Sequence, residues 1–193
     1  MMDATMTPIS RTQPRPPRIL YVCTGNATRS VIAASLTRRE RPEWTVTSAG
    51  TFAIPGLPSS VRTLAALDAV NTSAPGHRST TLNSELCDQA DVVVAFERDH
   101  VQFIRRMFPA AAARTITLPR LVFYAQAQPA QTPWALPESL GDEPLATWDE
   151  IDDPAGGDID TFVACAQAIE KSLLPILPIL QHLHSSQLGQ DRA

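Results

Sequence analysis

One stretch limits what this chain can become: "RILYVCTGNATRSVIAASL", residues 18–36. Ile19, Leu20, Tyr21 and Val22 form a short apolar run of the kind that fills a buried strand. The run stops at Cys23 and gives way to Thr24, Gly25, Asn26, Ala27 and Thr28. From Arg29 to Glu40 the spacing is helical, with Ile32, Ala33 and Leu36 on one face and Arg38, Arg39 and Glu40 on others. A strand that enters a helix through such a turn brings loop N–H groups and the positive end of the helix dipole to one spot, an arrangement that binds anions. Gly25 is expected to permit the tight backbone, and Arg29 offers a planar fork suited to phosphate oxygens. Helix ends and cations favour an anionic sulfur at Cys23, and Ser30 can donate a hydrogen bond to it. The plain alternative is a buried structural cysteine beside a solvated arginine. A Walker-type nucleotide loop is excluded, because no Gly-Lys-Ser/Thr follows.

The rest of the chain extends the same alternation. Trp44–Ser48 reads as a strand, Ser59–Val70 as a helix, and Asp91–Phe96, rich in Val without polar alternation, as a buried strand. A helix over Glu97–Phe108 ends at Pro109, Arg114–Leu118 reads as a fourth strand, and the last helix begins near Asp160. Strands alternating with helices predict an α/β fold: a single three-layer α/β/α domain on a four-stranded parallel sheet. The expected organisation is a flexible, Pro-rich leader over residues 1–16, one domain over 17–185 and a frayed tail over 186–193. Within that domain, 125–152 is expected to be a long loop rich in proline and acids, with no Lys or Arg between Arg120 and Lys171. Those acids are expected to face solvent or a basic partner, since they would repel a phosphorylated substrate if they lined the pocket.

Composition bears mainly on partners and compartment. A net charge of −4 gives no general reason to expect nucleic acid or an anionic membrane as a partner. No run is expected to span a membrane, and the N-terminus has no secretory apolar core. Cys23, Cys87 and Cys165 are too widely spaced for a zinc pattern or an obvious disulfide framework, so no metal and a reducing cytoplasm are expected.

At "VCTGNATRS" the chain resembles the phosphate-binding loop of the low-molecular-weight protein tyrosine phosphatase family. The likeness extends to "SAGT" at Ser48–Thr51, "HRS" at His77–Ser79 and the Asp-Pro of "DDPAGGDIDTF" at Asp153 and Pro154. These landmarks stand in the family's order over roughly 18–180. The resemblance implies that Cys23 is the nucleophile that becomes phosphocysteine. It implies that Arg29, with the amides of Thr24, Gly25, Asn26, Ala27 and Thr28, binds phosphate, and that Asp153 is the general acid and then the base. Asp152 serves equally on charge grounds, and the family pattern selects the residue before proline. Asn26, Ser30, Ser48 and His77 match the family's loop-supporting network. No cofactor is implied. The implied partners are a phosphorylated protein, phosphotyrosine foremost, or a small aryl phosphate, with phosphate and other oxyanions as inhibitors.

The chain departs from the family at three places. Thr28 stands where many members carry a second cysteine, Val31 replaces the usual proline, and Ala155-Gly156-Gly157 follows Asp-Pro in place of tyrosine. An aromatic wall must then come from Phe52, Trp134 or Trp148. Two other readings stand beside phosphatase: an arsenate reductase using an external small thiol, which needs no second cysteine, and a non-catalytic phosphate-binding module. Cys87, ahead of the third strand, is expected to pack a helix end, with a redox role as the alternative.

Overall fold

The computed structural model describes residues 15–128 and 135–183. The elements run β1 (Arg18–Cys23), α1 (Arg29–Glu40), β2 (Thr45–Gly50), α2 (Val61–Ala69), α3 (Ser84–Gln89), β3 (Val92–Ala95) and α4 (Arg98–Met107). A 3₁₀ turn over Pro109–Arg114 leads to β4 (Thr115–Thr117), α5 (Leu118–Gln126), a second 3₁₀ turn over Glu138–Gly141, α6 (Ile159–Leu173) and α7 (Leu177–Leu180). The four strands are parallel in the order β2-β1-β3-β4. The expected four-stranded parallel sheet is therefore present, and β1 lies inside it.

Side chains alternate across β1 with the period of a strand and so separate two layers. Ile19, Tyr21 and Cys23 join one core with Ile32 and Leu36 of α1, Leu67 of α2, Leu121 of α5 and Ile169 of α6. Leu20 and Val22 join the other, with Cys87 of α3, Val93 and Ile104 of α4. Cys87 therefore packs on the opposite face of the sheet from Cys23.

The elements differ from expectation in several ways. Helices α3 and α5 add to those expected. Asn83 caps the six residues of α3 by accepting from the Leu86 N–H. In α5 the proline falls in the first turn, where its missing N–H costs nothing. Residues 118–126 are thus helical, and the irregular segment begins later than expected. Arg15, at the end of the expected leader, pairs with Asp91, Nη2 to Oδ1 at 2.6 Å and Nη1 to Oδ2 at 2.7 Å. The expected tail over 186–193 lies outside the described residues.

The expectation that no run is long and apolar enough to cross a membrane fails for Ile159–Leu180, 22 residues of mean hydropathy 1.4. Packing explains its composition: Phe162, Ala166, Ile169, Leu173, Ile176, Leu177 and Leu180 are all buried in the core.

Candidate functional site

Cys23 ends β1 opposite Gly50, the last residue of β2. The turn that follows is held from outside through its carbonyls. Cys23 O accepts from the Thr51 N–H and Thr24 O from the Phe52 N–H, each at 2.9 Å. Asn26 O accepts from His77 Nε2 at 2.9 Å, and Ala27 O from the Thr63 hydroxyl at 3.0 Å. In a trans peptide the C=O and the following N–H point in opposite directions. The N–H groups of Thr24, Gly25, Ala27 and Thr28 therefore turn away from these partners, toward the inside of the loop. These are four of the amides that the resemblance assigns to phosphate.

The sequence offers two residues for the tight backbone, Gly25 for its freedom and Asn26 for its tolerance of a left-handed turn, and the structure uses the second. Asn26, not Gly25, takes the left-handed conformation, at φ 48°. A Cβ on Gly25 would meet only Ala27 Cβ at 3.7 Å, an ordinary contact. Asparagine tolerates this conformation because its side chain finds local partners. Here Asn26 is fully buried. Its Nδ2 donates to the Ser30 and Ser48 hydroxyls at 3.0 Å each, and its Oδ1 accepts from the Thr80 N–H at 2.8 Å. The structure thus brings together Asn26, Ser30, Ser48 and His77. Beside this turn Gly50 has no room for a side chain, since a Cβ there would stand 2.5 Å from Thr24 O and 2.7 Å from Asn26 N.

Cys23 Sγ lies 3.0 Å from Ser30 Oγ. The hydroxyl oxygen already accepts from Asn26, which leaves its hydrogen free to be donated to the sulfur. Arg29, at the first position of α1, is buried and reaches across to the segment before α6. Its Nη1 donates to Ile151 O at 3.0 Å and pairs with Glu97 Oε1 at 3.1 Å, and its Nη2 pairs with Asp153 Oδ2 at 2.7 Å. Between Asp152 and Asp153, the carboxylate that meets the arginine is the one preceding proline. The Ala155 N–H donates to Asp153 Oδ1 at 3.1 Å, which fixes the other oxygen.

Three residues at this site were not expected from the sequence. Thr63 of α2 holds both Ala27 O and the Thr28 hydroxyl, the latter at 3.1 Å. Glu97 and His100 lie just beyond the carboxyl end of β3, beside the turn after β1. His100 Nε2 is 2.9 Å from Thr24 Oγ1 and 3.1 Å from Glu97 Oε2, and its Nδ1 accepts from the Glu97 N–H at 3.2 Å. Burial, reinforced by the charge of Arg29, pulls the His100 imidazole down to about 3. It is thus neutral at ordinary pH, and its approach to the Glu97 carboxylate is not an ion pair. The available signal was positional: in parallel α/β sheets, sites gather at the carboxyl ends of adjacent strands.

The acids of the 125–152 segment do not all face solvent, contrary to expectation. Asp149 is fully buried on Arg120, and Glu143 takes both Arg120 Nη1 at 3.1 Å and the Tyr124 hydroxyl at 2.6 Å. Glu150 pairs with Arg98 at 2.7 Å, and the Ile151 N–H donates to Phe96 O at 2.7 Å. The segment is tied to the body by arginines of α4 and α5, which offset the acids' charge. Glu150, Asp152 and Asp153 also line a cleft of about 370 Å³ with Thr161 and Cys165 of α6. Cys165 Sγ sits 3.8 Å from Asp152 O. Burial pushes its thiol up to about 11, against the pull of Arg29 and with the added push of Asp153 and Cys23. The cysteine on Cys23's side of the sheet is therefore Cys165. Cys87 is also pushed up to about 11 by burial.

Of the aromatic candidates, Phe52 is 71% exposed next to the turn, its ring 5.3 Å from Phe103 edge-on. Trp148 packs on Phe123 at 6.0 Å and lies over Arg120 at 5.5 Å. Trp134 lies outside the described residues. Among the described residues, no group of three or more His, Cys, Asp or Glu is placed to hold a metal.

A cysteine in an anion cradle, an arginine fork and a carboxylate held at that fork form a site fit to receive and transfer a phosphoryl group. The family model for low molecular weight phosphotyrosine protein phosphatases matches residues 18–137. A protein-arginine-phosphatase of Geobacillus stearothermophilus is 34% identical over 156 residues, 80% of this chain and 90% of that protein. The low molecular weight protein-tyrosine-phosphatase Ptp of Acinetobacter johnsonii is 29% identical over 100 residues, 52% of this chain and 70% of that protein. Among solved structures, the tyrosine phosphatase Wzb from Escherichia coli K30 in complex with sulphate aligns with a TM-score of 0.64 at 25% identity. That alignment covers 81% of this chain and 93% of the other.

Proposed function

Starting from the chain's membership of the low molecular weight phosphotyrosine protein phosphatase family, and hence from its being a phosphatase, we propose that it dephosphorylates protein side chains through a phosphocysteine on Cys23. The observation that carries the reading is the contact of Arg29 with Asp153, 2.7 Å apart, at the loop that begins with Cys23. In the first step the Cys23 sulfur attacks phosphorus. The bond from phosphorus to the leaving atom breaks as the Asp153 carboxyl gives that atom a proton. In the second, Asp153, now a carboxylate, takes a proton from water. The water oxygen attacks phosphorus, and inorganic phosphate and the Cys23 thiolate are released. Arg29 and the loop amides stabilise the charge on the equatorial oxygens in both steps.

Two side chains compete as substrate. Phosphotyrosine is the reading from the sequence, and the matching family model supports it. Phosphoarginine is favoured by two further observations. The relative named an arginine phosphatase is matched over 80% of this chain, against 52% for the one named Ptp. The turn after Asp153-Pro154 is Ala-Gly-Gly, with no ring to stack on an aryl group, while the carboxylate of Asp152 lines the adjoining cleft and suits a cationic side chain. We therefore take phosphoarginine as the first substrate to test. Parallel turnover of a phosphoarginine and a phosphotyrosine peptide decides between them. A higher kcat/KM on the tyrosine peptide overturns the arginine preference, and no release of phosphate from either overturns the reading as a protein phosphatase. The compartment follows only by proposal: three free, buried cysteines agree with a reducing cytoplasm.

A further inference from the structure

The contacts of Arg29 are divided between its two terminal nitrogens. Asp153 holds Nη2, while Ile151 O and Glu97 Oε1 both hold Nη1. A bidentate oxyanion needs two adjacent N–H groups of the planar guanidinium. With Nη1 donating to Ile151 O and ion-paired with Glu97 Oε1, the edge left for an oxyanion is Nε with Nη2, which competes with Asp153 and not with Glu97. One carboxylate of the pair is thus displaced when phosphate arrives, and the other stays.

Glu97 is itself fixed. Its second oxygen meets His100 Nε2 at 3.1 Å, and its own N–H donates to His100 Nδ1 at 3.2 Å. The acceptor role of Nδ1 places the ring proton on Nε2, from which it is donated to the Thr24 hydroxyl, 2.9 Å away, with Glu97 Oε2 beside the same nitrogen. One imidazole at the start of α4 therefore connects Thr24, directly after Cys23, with Glu97, the partner of Arg29.

We infer that Glu97 and His100 are positioning residues, which keep the Arg29 guanidinium in its plane and the turn after Cys23 in place when Asp153 leaves Arg29 to serve the leaving group. Neither touches the phosphoryl group. Both act through Arg29 and Thr24, so the inference rests on Arg29 being the phosphate ligand, as proposed above. Misplacing a guanidinium by a fraction of an ångström harms the transition state more than ground-state binding, since only the former needs every oxygen in register.

The test is steady-state turnover of an aryl phosphate by Glu97→Ala, His100→Ala, His100→Gln and Arg29→Ala, normalised to folded protein from an unfolding curve. Glu97→Ala is expected to lower kcat by about tenfold or more while KM moves by less than about threefold. His100→Ala should follow it. In His100→Gln the side-chain amide keeps an N–H close to the position of Nε2 and should restore most of kcat. If Glu97→Ala retains kcat per folded molecule to within about twofold while Arg29→Ala is inactive, the positioning role is wrong and the phosphate site stands. If His100→Gln is no better than His100→Ala, His100 acts by packing and its part of the inference falls. If Arg29→Ala itself turns over near the parent rate, the proposed phosphate site falls and takes this inference with it.

Discussion

Arg29 Nη2 and Asp153 Oδ2 are 2.7 Å apart, across 124 residues of chain. The carboxylate therefore sits on an atom that an incoming oxyanion needs. Asp153→Asn removes that competition along with the acid. It should slow hydrolysis of substrates with poor leaving groups by about 10²–10⁴-fold, and activated aryl phosphates less. Inhibition by inorganic phosphate should strengthen. A larger loss in Asp152→Asn, or weaker phosphate inhibition in Asp153→Asn, would assign the acid wrongly.

Arg29→Lys should be close to inactive, because an ammonium cannot reproduce a planar fork or serve Ile151 O, Glu97 and Asp153 together. Near-normal turnover in that variant would move the phosphate site elsewhere.

Thr28 cannot trap an oxidised Cys23 as a disulfide. A peroxide pulse should therefore inactivate the protein without recovery in dithiothreitol once oxidation passes the sulfenic acid, and Thr28→Cys should restore recovery. Cys87 lies across the sheet, so a Cys23–Cys87 disulfide found by peptide mapping would contradict the fold described above. The expected redox interest of Cys87 loses its physical basis for the same reason.

His100 gives the folded protein a defined acid sensitivity. Its folded value of about 3 lies below the ordinary 6.5 of the unfolded chain because burial, and then Arg29, disfavour the imidazolium. Below 6.5 the unfolded state binds a proton that the folded state does not accept until about 3. Stability is therefore full above 6.5 and is lost as pH falls from 6.5 toward 3, by about 2 kcal/mol between pH 7 and pH 5 from this residue. Urea unfolding at both pH values checks it. His100→Gln should flatten the slope by about that amount, and an unchanged slope would contradict a buried neutral imidazole.

Asp149 and Arg120 form a buried pair that ties the segment before Asp153 to α5. Asp149→Ala removes the hydrogen-bonded carboxylate of the two that Arg120 meets, Glu143 being the other, so it should destabilise by about 2 kcal/mol in urea unfolding. A loss below about 0.5 kcal/mol would show that solvent reaches Arg120.

The part of this molecule most legible in the sequence was the part with local causes. The apolar run into Cys23 and the helical spacing from Arg29 give β1 and α1 at the boundaries expected. Val92–Ala95 is fully buried, as a Val-rich run without polar alternation requires. Helix α5 was hidden because Pro119 reads as a break unless it is placed in the first turn. The site divides in the same way. Cys23, Arg29, Asn26, Ser30, Ser48, His77 and Asp153 were marked by motif and resemblance, and the structure brings them together. Glu97, His100 and Thr63 were not, because each acts through a partner that is distant in sequence. The arginines that neutralise Asp149 and Glu150 belong to other helices, so an acid-rich segment looked unpaired when read alone.

The central claim is covalent: phosphorus passes through the sulfur of Cys23. The most direct measurement is rapid acid quench during turnover of a phosphorylated substrate, followed by peptide mass spectrometry of the trapped protein. The account predicts one phosphoryl group on the peptide containing Cys23, accumulating more strongly in Asp153→Asn when an activated aryl phosphate is used, because water attack is then slowed. It also predicts no turnover in Cys23→Ser. A parent protein that hydrolyses its substrate with no phosphoryl group on Cys23, together with Cys23→Ser turnover within about tenfold of the parent, would contradict it.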